Sequence, residues 1–419
     1  MKKYQITGKN RLSGELEIGG AKNAVLPVLA ALCLVDGDVI LENCPRLSDT
    51  FDSIEILNGI GFKTDFTKNT LKVFEPSEIN TKIPDENAKK MRSSIIFMGA
   101  MLAKHGEVSL AMPGGCDLGE RAIDMHIDGL EKMGALVCVQ EGRLYAKANG
   151  LKGTNFSMHT VSVGTTENLM IAAALADGET VLKNAAREPE IIDLAKFLKS
   201  LGAKIQGEGT DVVVINGVKK LKMNEPYKIM PDRIVAGTYL LAAAMTSGEI
   251  NLTNINLKDM LPILSRLEKM GCHMKTTENS VHLKEPGRLL SLYRLATSTH
   301  PGFPTDMQPQ FVSALSTAVG RSHVIERIFE KRYSHINELK KMGADIDFYN
   351  GFKAFTIYGR KYLHGAEVEA HDLRCGAALI LAALAAEGET TIKGVNYVER
   401  GYESIVSDLQ KLGANIRAI

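Results

Sequence analysis

The 419 residues carry 50 Lys and Arg against 49 Asp and Glu, so the net charge is +1, with 45% of the chain hydrophobic and 24% charged. A balance this near zero gives no support for a nucleic-acid or membrane-surface partner. The length is that of about two or three domains. Met1-Lys2-Lys3-Tyr4-Gln5 leads into a polar strand and not an apolar leader, and the longest apolar runs, such as Ala377 to Ala386, are too short to span a bilayer. The six cysteines at 33, 44, 116, 138, 272 and 375 form no CxxC pair and show no clustering with histidine. That scatter speaks against a metal site and fits reduced thiols in a cytoplasm.

A unit of about 70 residues recurs six times along the chain. Each copy opens on a small-residue-rich apolar helix: Ala24 to Leu34, Ile95 to Ala103, Leu169 to Ala176, Val235 to Met245, Phe311 to Val319 and Ala377 to Ala386. Each of these ends near a glycine, at Gly37, Gly106, Gly178, Gly248, Gly320 and Gly388. A second, amphipathic helix follows and stops at Gly61, Gly134, Gly202, Gly271, Gly343 and Gly413, where glycine is the expected C-terminal cap. The pattern predicts helix, strand, helix, strand, strand and an extended connection to the next unit. Helices apolar all round are buried, so strands and amphipathic helices should wrap a core of helices, the reverse of a barrel with strands inside.

The sixth unit stops at Ile416-Arg417-Ala418-Ile419 without its closing strand pair. The start of the chain resembles the missing piece: Tyr4-Gln5-Ile6-Thr7-Gly8-Lys9 is similar to Thr356-Ile357-Tyr358-Gly359-Arg360-Lys361. Residues 1 to about 20 are therefore expected to complete the last unit. Three units per domain gives one domain at 22–229 and a second made of 1–21 plus 230–419. Two crossings, near Gly19-Gly20 and Pro231-Asp232, suit an enzyme that closes on substrate in a cleft between its halves.

Charge gathers where the buried helices begin: Lys22-Asn23, Arg92-Ser93-Ser94, Gly164-Thr165-Thr166, Asp232-Arg233, Thr305-Asp306 and Asp372 with Arg374. A helix N-terminus is a ready anion site, and a cation placed there runs against the dipole unless an anion joins them. Ser93, Thr165 and Asp306 are also plausible helix caps, which would make the repeated polarity structural. Pro113-Gly114-Gly115-Cys116-Asp117-Leu118-Gly119-Glu120-Arg121 is either a plain surface loop or a loop that holds a thiol near a guanidinium. Cys375, after Arg374, reads as a small buried residue or a second reactive thiol, and His126 and His300 read as structural.

Five separated motifs then appear in one order: Gly20-Ala21-Lys22-Asn23-Ala24, the Cys116 loop with Arg121, Asn184-Ala185-Ala186-Arg187-Glu188-Pro189-Glu190, Pro301-Gly302-Phe303-Pro304-Thr305-Asp306-Met307-Gln308 and Arg400-Gly401-Tyr402-Glu403. Together they closely resemble the UDP-N-acetylglucosamine 1-carboxyvinyltransferase family of enolpyruvyl transferases, over the full length. The resemblance implies the enolpyruvyl transferase fold, an α/β protein built as a two-domain inverse α/β barrel. It also implies transfer of the enolpyruvyl group of phosphoenolpyruvate to the 3-hydroxyl of UDP-N-acetylglucosamine in peptidoglycan synthesis, with small-molecule partners and no cofactor. Separately, no helix face in the sequence is apolar enough to demand a dimer, and a monomer is expected.

By the family pattern Lys22, Arg121 and Arg400 hold phosphoenolpyruvate with Arg92 nearby, and Asn23 and Asp306 face the sugar, Asp306 as base. Cys116 resembles the residue that gives a proton to C3 or aids product release, and that can be alkylated by fosfomycin. Arg121, Ala122, Ile123 and Asp124, with Ser162, Val163 and Gly164, resemble the uridine-diphosphate side. Ile328, Arg332, Asp372 and Arg374 complete the implied substrate-binding set. Ala122 stands where the family usually has proline, Asp117 and Glu120 flank the thiol with negative charge, and Thr160 replaces a frequent basic residue. Two other readings remain open at this point: the same chemistry on shikimate 3-phosphate, and an idle paralogue that binds the nucleotide sugar. The Cys116 loop speaks against the first, and retention of Lys22, Asp306 and Arg400 against the second.

Overall fold

The computed structural model describes residues 2–114, 123–284, 287–349, 351 and 353–419. Among them the chain divides into two compact units, one of 20–114 with 123–230 and one of 2–19 with 231–419. Each has its own apolar core: one cluster of buried residues runs from Ala21 to Ile229, the other takes Tyr4 to Ile18 and Ile234 to Ile416.

In the 20–230 unit the buried helices are Lys22–Ala31, Ile96–His105 and Val163–Ala173. In the other they are Arg233–Met245, Gln308–Leu315 and Leu373–Ala385. Most are alanine-rich, and all bury most of their residues, polar ones such as Gln310 and Asn168 included; Arg374 to Ala385 is buried without a break. The second helix of each repeat, such as Pro189–Ser200 or Leu257–Lys269, keeps a polar face to solvent. All six glycines that stop these outer helices have φ between 89° and 119°, the left-handed conformation that closes a helix at little cost for glycine. Gly248 differs from the other turn glycines. Ser247 carries the positive φ of 50° there, and a Cβ on Gly248 would lie 2.3 Å from the Leu12 carbonyl oxygen.

The strands show how repeats join. Within a repeat three strands pair antiparallel, as Glu179–Lys183, Val212–Asn216 and Lys204–Gln206 do. The extended connection that leaves the repeat then adds in parallel to the next sheet. Lys82 bridges Ser109, Asn155–Ser157 joins Glu179–Lys183, and Tyr227–Lys228 returns to Val39–Glu42 of the first repeat. The other unit repeats this: Arg294–Ala296 joins Arg321–Ile325, Glu367–Glu369 joins Glu389–Lys393, and Ser13–Glu17 joins Glu249–Thr253. In both units the third repeat hands a strand back to the first.

Only part of the N-terminal stretch completes the sixth repeat. Tyr4–Thr7 lies antiparallel between Glu389–Lys393 and Asn415–Ala418, whereas Ser13–Glu17 belongs to the fourth sheet. Pattern matching pairs a connection with the repeat it leaves, while its hydrogen bonds belong to the repeat it enters. Short elements also precede several buried helices: the helix Asp85–Lys90 and the 3₁₀ turns Arg92–Ile95 and Thr305–Met307. They are too brief for periodicity to reveal. Among the described residues no helix is long and apolar enough to cross a membrane.

Candidate active site

In the 2–19 and 231–419 unit the charged residues at two helix starts meet directly. Asp306 sits in the 3₁₀ turn that opens the Gln308–Leu315 helix. Its Oδ1 accepts from Arg332 Nη1 at 2.7 Å and its Oδ2 from Arg374 Nη2 at 2.8 Å. Both guanidiniums are buried and Asp306 half-buried. Burial alone would push the carboxyl pKa up. Arg374 and Arg332 outweigh it and hold Asp306 well below the usual carboxylate range. Asp306 is therefore an oriented, fully ionised acceptor.

Neighbouring bonds lock this clamp. Arg332 Nη1 also donates to Thr305 Oγ1 at 3.0 Å, and Thr305 donates on to buried Glu326 at 3.0 Å. Glu326 also accepts from Thr297 Oγ1 and from the Ile328 and Phe329 backbone N–H groups. Asp372 caps the Leu373–Ala385 helix, accepting from the Arg374 and Cys375 N–H groups at 2.9 Å, and takes the Ser334 hydroxyl at 2.6 Å. His335 is fully buried beside Asp372 and Arg332; burial pushes its pKa down to about 4, so it is neutral. Arg400 ends the 3₁₀ segment Val395–Arg400.

In the 20–230 unit, Lys22 begins its helix without a side-chain cap and reaches buried Asp49, Nζ to Oδ2 at 2.8 Å. Cations against the helix dipole are thus matched, at Lys22 and Arg374, by carboxylates of the chain itself. Arg92 lies close enough to His126 to oppose its protonation. Asn23 follows Lys22 in the first turn and is half-buried. Ile123 precedes the helix Asp124–Lys132, and exposed Asp124 faces His159 at 3.2 Å. That contact lowers the Asp124 pKa. Ser162 caps the Val163–Ala173 helix through Thr165 N–H at 3.2 Å, and a Cβ on Gly164 would meet the His126 ring at 3.4 Å.

Of the caps expected at Ser93, Thr165 and Asp306, the one at Thr165 is corrected to Ser162, and the turns of Ser93 and Asp306 have no side-chain cap; Asp232 and Asp372 cap two other buried helices. Ser94, not Ser93, is the buried hydroxyl at its turn, bonded to the Ala88 and Met91 carbonyls, and the Asp306 carboxylate is taken by the two arginines. Cys375 is not a second reactive thiol: it is buried, and burial pushes its pKa up to about 12. Cys116, Arg121 and Ala122 lie outside the described residues. Sequence reasoning missed Asp49, Glu326, Asn168 and His335. Asp49 and Glu326 had no signal beyond being acidic; each is identified only by the partner that folding brings to it. Among the described residues no three His, Cys, Asp or Glu gather as metal ligands would.

The family described as EPSP synthase (3-phosphoshikimate 1-carboxyvinyltransferase) matches residues 6–409. UDP-N-acetylglucosamine 1-carboxyvinyltransferase 2 of Caldanaerobacter subterraneus subsp. tengcongensis is 45% identical over 416 residues, covering 99% of both chains. Among solved structures, the enolpyruvyl transferase NikO from Streptomyces tendae superposes with a TM-score of 0.90 at 24% identity, over 100% of this chain and 98% of that one. EPSP synthase from Acinetobacter baumannii gives 0.78 at 17% identity, over 100% of both. These two carry the fold, and the enolpyruvyl transferase architecture implied by the resemblance is the one found. With the family match spanning nearly the whole chain and a relative 45% identical from end to end, the protein belongs to the EPSP synthase family.

Proposed function

We propose that this chain transfers the enolpyruvyl group of phosphoenolpyruvate to the 3-hydroxyl of UDP-N-acetylglucosamine and releases phosphate, as a cytoplasmic enzyme of peptidoglycan synthesis. The observation that carries the reading is the 45% identity over 99% of the chain to a UDP-N-acetylglucosamine 1-carboxyvinyltransferase. The sugar oxygen bonds to C2 of phosphoenolpyruvate while C3 gains a proton. The tetrahedral adduct then loses a proton from C3 and phosphate from C2, which restores the double bond.

Lys22, Arg121 and Arg400 hold phosphoenolpyruvate with Arg92 nearby, and Cys116 supplies the C3 proton and is the thiol open to fosfomycin. Asn23 and Asp306 face the sugar. Arg121, Ala122, Ile123 and Asp124 with Ser162, Val163 and Gly164 form the nucleotide side. Arg332 and Arg374 fix Asp306, Asp372 fixes the helix that carries Arg374, and Ile328 lines the substrate side. A clamped Asp306 is a weak base, which suits an acceptor whose task comes late. The hydroxyl proton becomes strongly acidic only as the C–O bond forms, so Asp306 first orients it and then takes it. Holding both substrates together contributes on the order of 7–11 kcal/mol of barrier lowering.

Phosphate release from phosphoenolpyruvate, measured with UDP-N-acetylglucosamine and separately with shikimate 3-phosphate, tests the reading. Turnover with the nucleotide sugar alone is expected. Turnover with shikimate 3-phosphate alone would overturn the substrate, and none with either would make the chain a binding protein. Asp306→Asn should abolish turnover and leave nucleotide-sugar binding within roughly tenfold, about 1.4 kcal/mol. Near-normal turnover in that variant would remove Asp306 from the chemistry.

A further inference from the structure

The hydrogen bonds behind Asp306 lead to Tyr402, a side chain only 2% exposed that the roles above leave unused. Its hydroxyl lies 2.8 Å from Thr238 Oγ1. Thr238 has one hydroxyl proton and gives it to the Ile234 carbonyl at 2.8 Å, so Tyr402 is the donor in this pair. Gln310 Nε2 donates to the Asp306 backbone carbonyl at 2.9 Å and also reaches Thr238 Oγ1, the partner of Tyr402, at 3.5 Å. A carbonyl only accepts, which fixes the orientation of the Gln310 amide. Burial keeps the phenol in its neutral, donating form although Arg374 pulls the other way.

The segment that carries Arg400 is pressed on the same helix starts. A Cβ on Gly401 would come within 2.6 Å of Leu373 Cδ2, and one on Gly376 within 2.4 Å of Val398 Cγ2. Backbone bonds from Gly401 and Tyr402 to the Val398 carbonyl close the turn around Arg400. Arg400 is thus flanked by two packed positions and, two residues on, by a buried phenol bonded to Thr238 of the Arg233–Met245 helix, which Gln310 of the Gln308–Leu315 helix also reaches.

We propose that Tyr402 is a positioning residue that ties the Arg400 segment to the Asp306 helix start through Thr238 and Gln310, so that the anion-holding guanidinium and the hydroxyl acceptor keep one fixed relation. The proposal rests on the roles given above to Arg400 and Asp306.

The test uses the full chain with Tyr402→Phe, which removes only the hydroxyl. Hydrogen exchange of peptides covering 395–403 should quicken, and KM for phosphoenolpyruvate should rise roughly three- to tenfold, the worth of one neutral hydrogen bond. Thr238→Val should reproduce both effects and Thr238→Ser should restore both. In an Arg400→Ala background Tyr402→Phe should add less than about twofold to KM, since its effect runs through Arg400. Unchanged exchange and KM in Tyr402→Phe, or a full additional rise in the Arg400→Ala background, would overturn the proposal. Quickened exchange with a normal KM in both Tyr402→Phe and Arg400→Ala would support the tie and instead remove Arg400 from phosphoenolpyruvate binding.

Discussion

With Arg332 and Arg374 on its two oxygens, Asp306 stays ionised far into acid, so its own titration does not limit the enzyme near neutrality. Arg374→Gln removes the stronger of the two attractions, and the Asp306 pKa then rises. Because activity requires the carboxylate, the acid limb of the kcat profile should move to higher pH, with Arg374→Lys in between. An unmoved limb would show that the clamp does not set the basicity of the acceptor. The cysteines divide in the same local way. Cys33, Cys44, Cys272 and Cys375 are buried, with pKa values pushed up to about 12, whereas Cys138 is exposed. Iodoacetamide should label Cys138 without loss of activity, and inactivation should persist in Cys138→Ser and vanish in Cys116→Asp, whose carboxyl can still carry the C3 proton but is a far weaker nucleophile than a thiolate. Inactivation that follows Cys138 or Cys375 would displace Cys116 from its role. Charges ahead of apolar helices made Lys22, Arg374 and Asp306 legible in the sequence. Asp49, the partner of Lys22, was not, because it sits on another element and no local period marks it, and Arg332 was reached only through the resemblance.

The helix starts differ in what they can tolerate. His126 is wedged among three helices, and one bond fixes its proton. Asn168 Oδ1 accepts from the Gly99 N–H at 2.9 Å, so its Nδ2 must donate to His126 Nδ1 at 3.0 Å. Nδ1 is then bare and the imidazole neutral. Burial first, and Arg92 second, bring the pKa from 6.5 to about 4. The unfolded chain therefore binds the proton first as pH falls. Stability contributed by this site is complete above about pH 6.5 and declines toward pH 4, by up to about 3 kcal/mol. Denaturant melts followed by a probe in the 20–230 unit should show this slope, and His126→Phe should flatten it. An equal slope in both proteins would mean that other groups cause it. Helix type, order and the stopping glycines were readable because each occurs six times. One cap was misplaced by three residues, Ser162 for Thr165, and those expected at Ser93 and Asp306 do not form, since Ser, Thr and Asp crowd these turns and only the backbone decides which one faces the free N–H groups.

Each core is complete within its own unit, but one unit takes strands from both ends of the sequence. A fragment of residues 20–230 should fold alone. Residues 231–419 should give protected exchange only when a peptide of residues 2–19 is added, because Tyr4–Thr7 separates and pairs two strands of the sixth sheet and Ser13–Glu17 extends the fourth. A folded 231–419 fragment without the peptide would show those strands to be dispensable. The repeat made this arrangement visible in sequence as an unfinished last copy, but not the destination of the second strand. The handover of strands also sets a timetable on the ribosome. At roughly 5–20 residues per second, Tyr4–Thr7 is made about 20–80 s before Glu389–Lys393 and Asn415–Ala418 exist to receive it. Throughout that interval the segment with its alternating Tyr4 and Ile6 lacks both strands that pair with it in the fold. Lys2, Lys3 and Lys9, flanking this short strand, are charges of the kind that keep a waiting edge from pairing with the wrong neighbour.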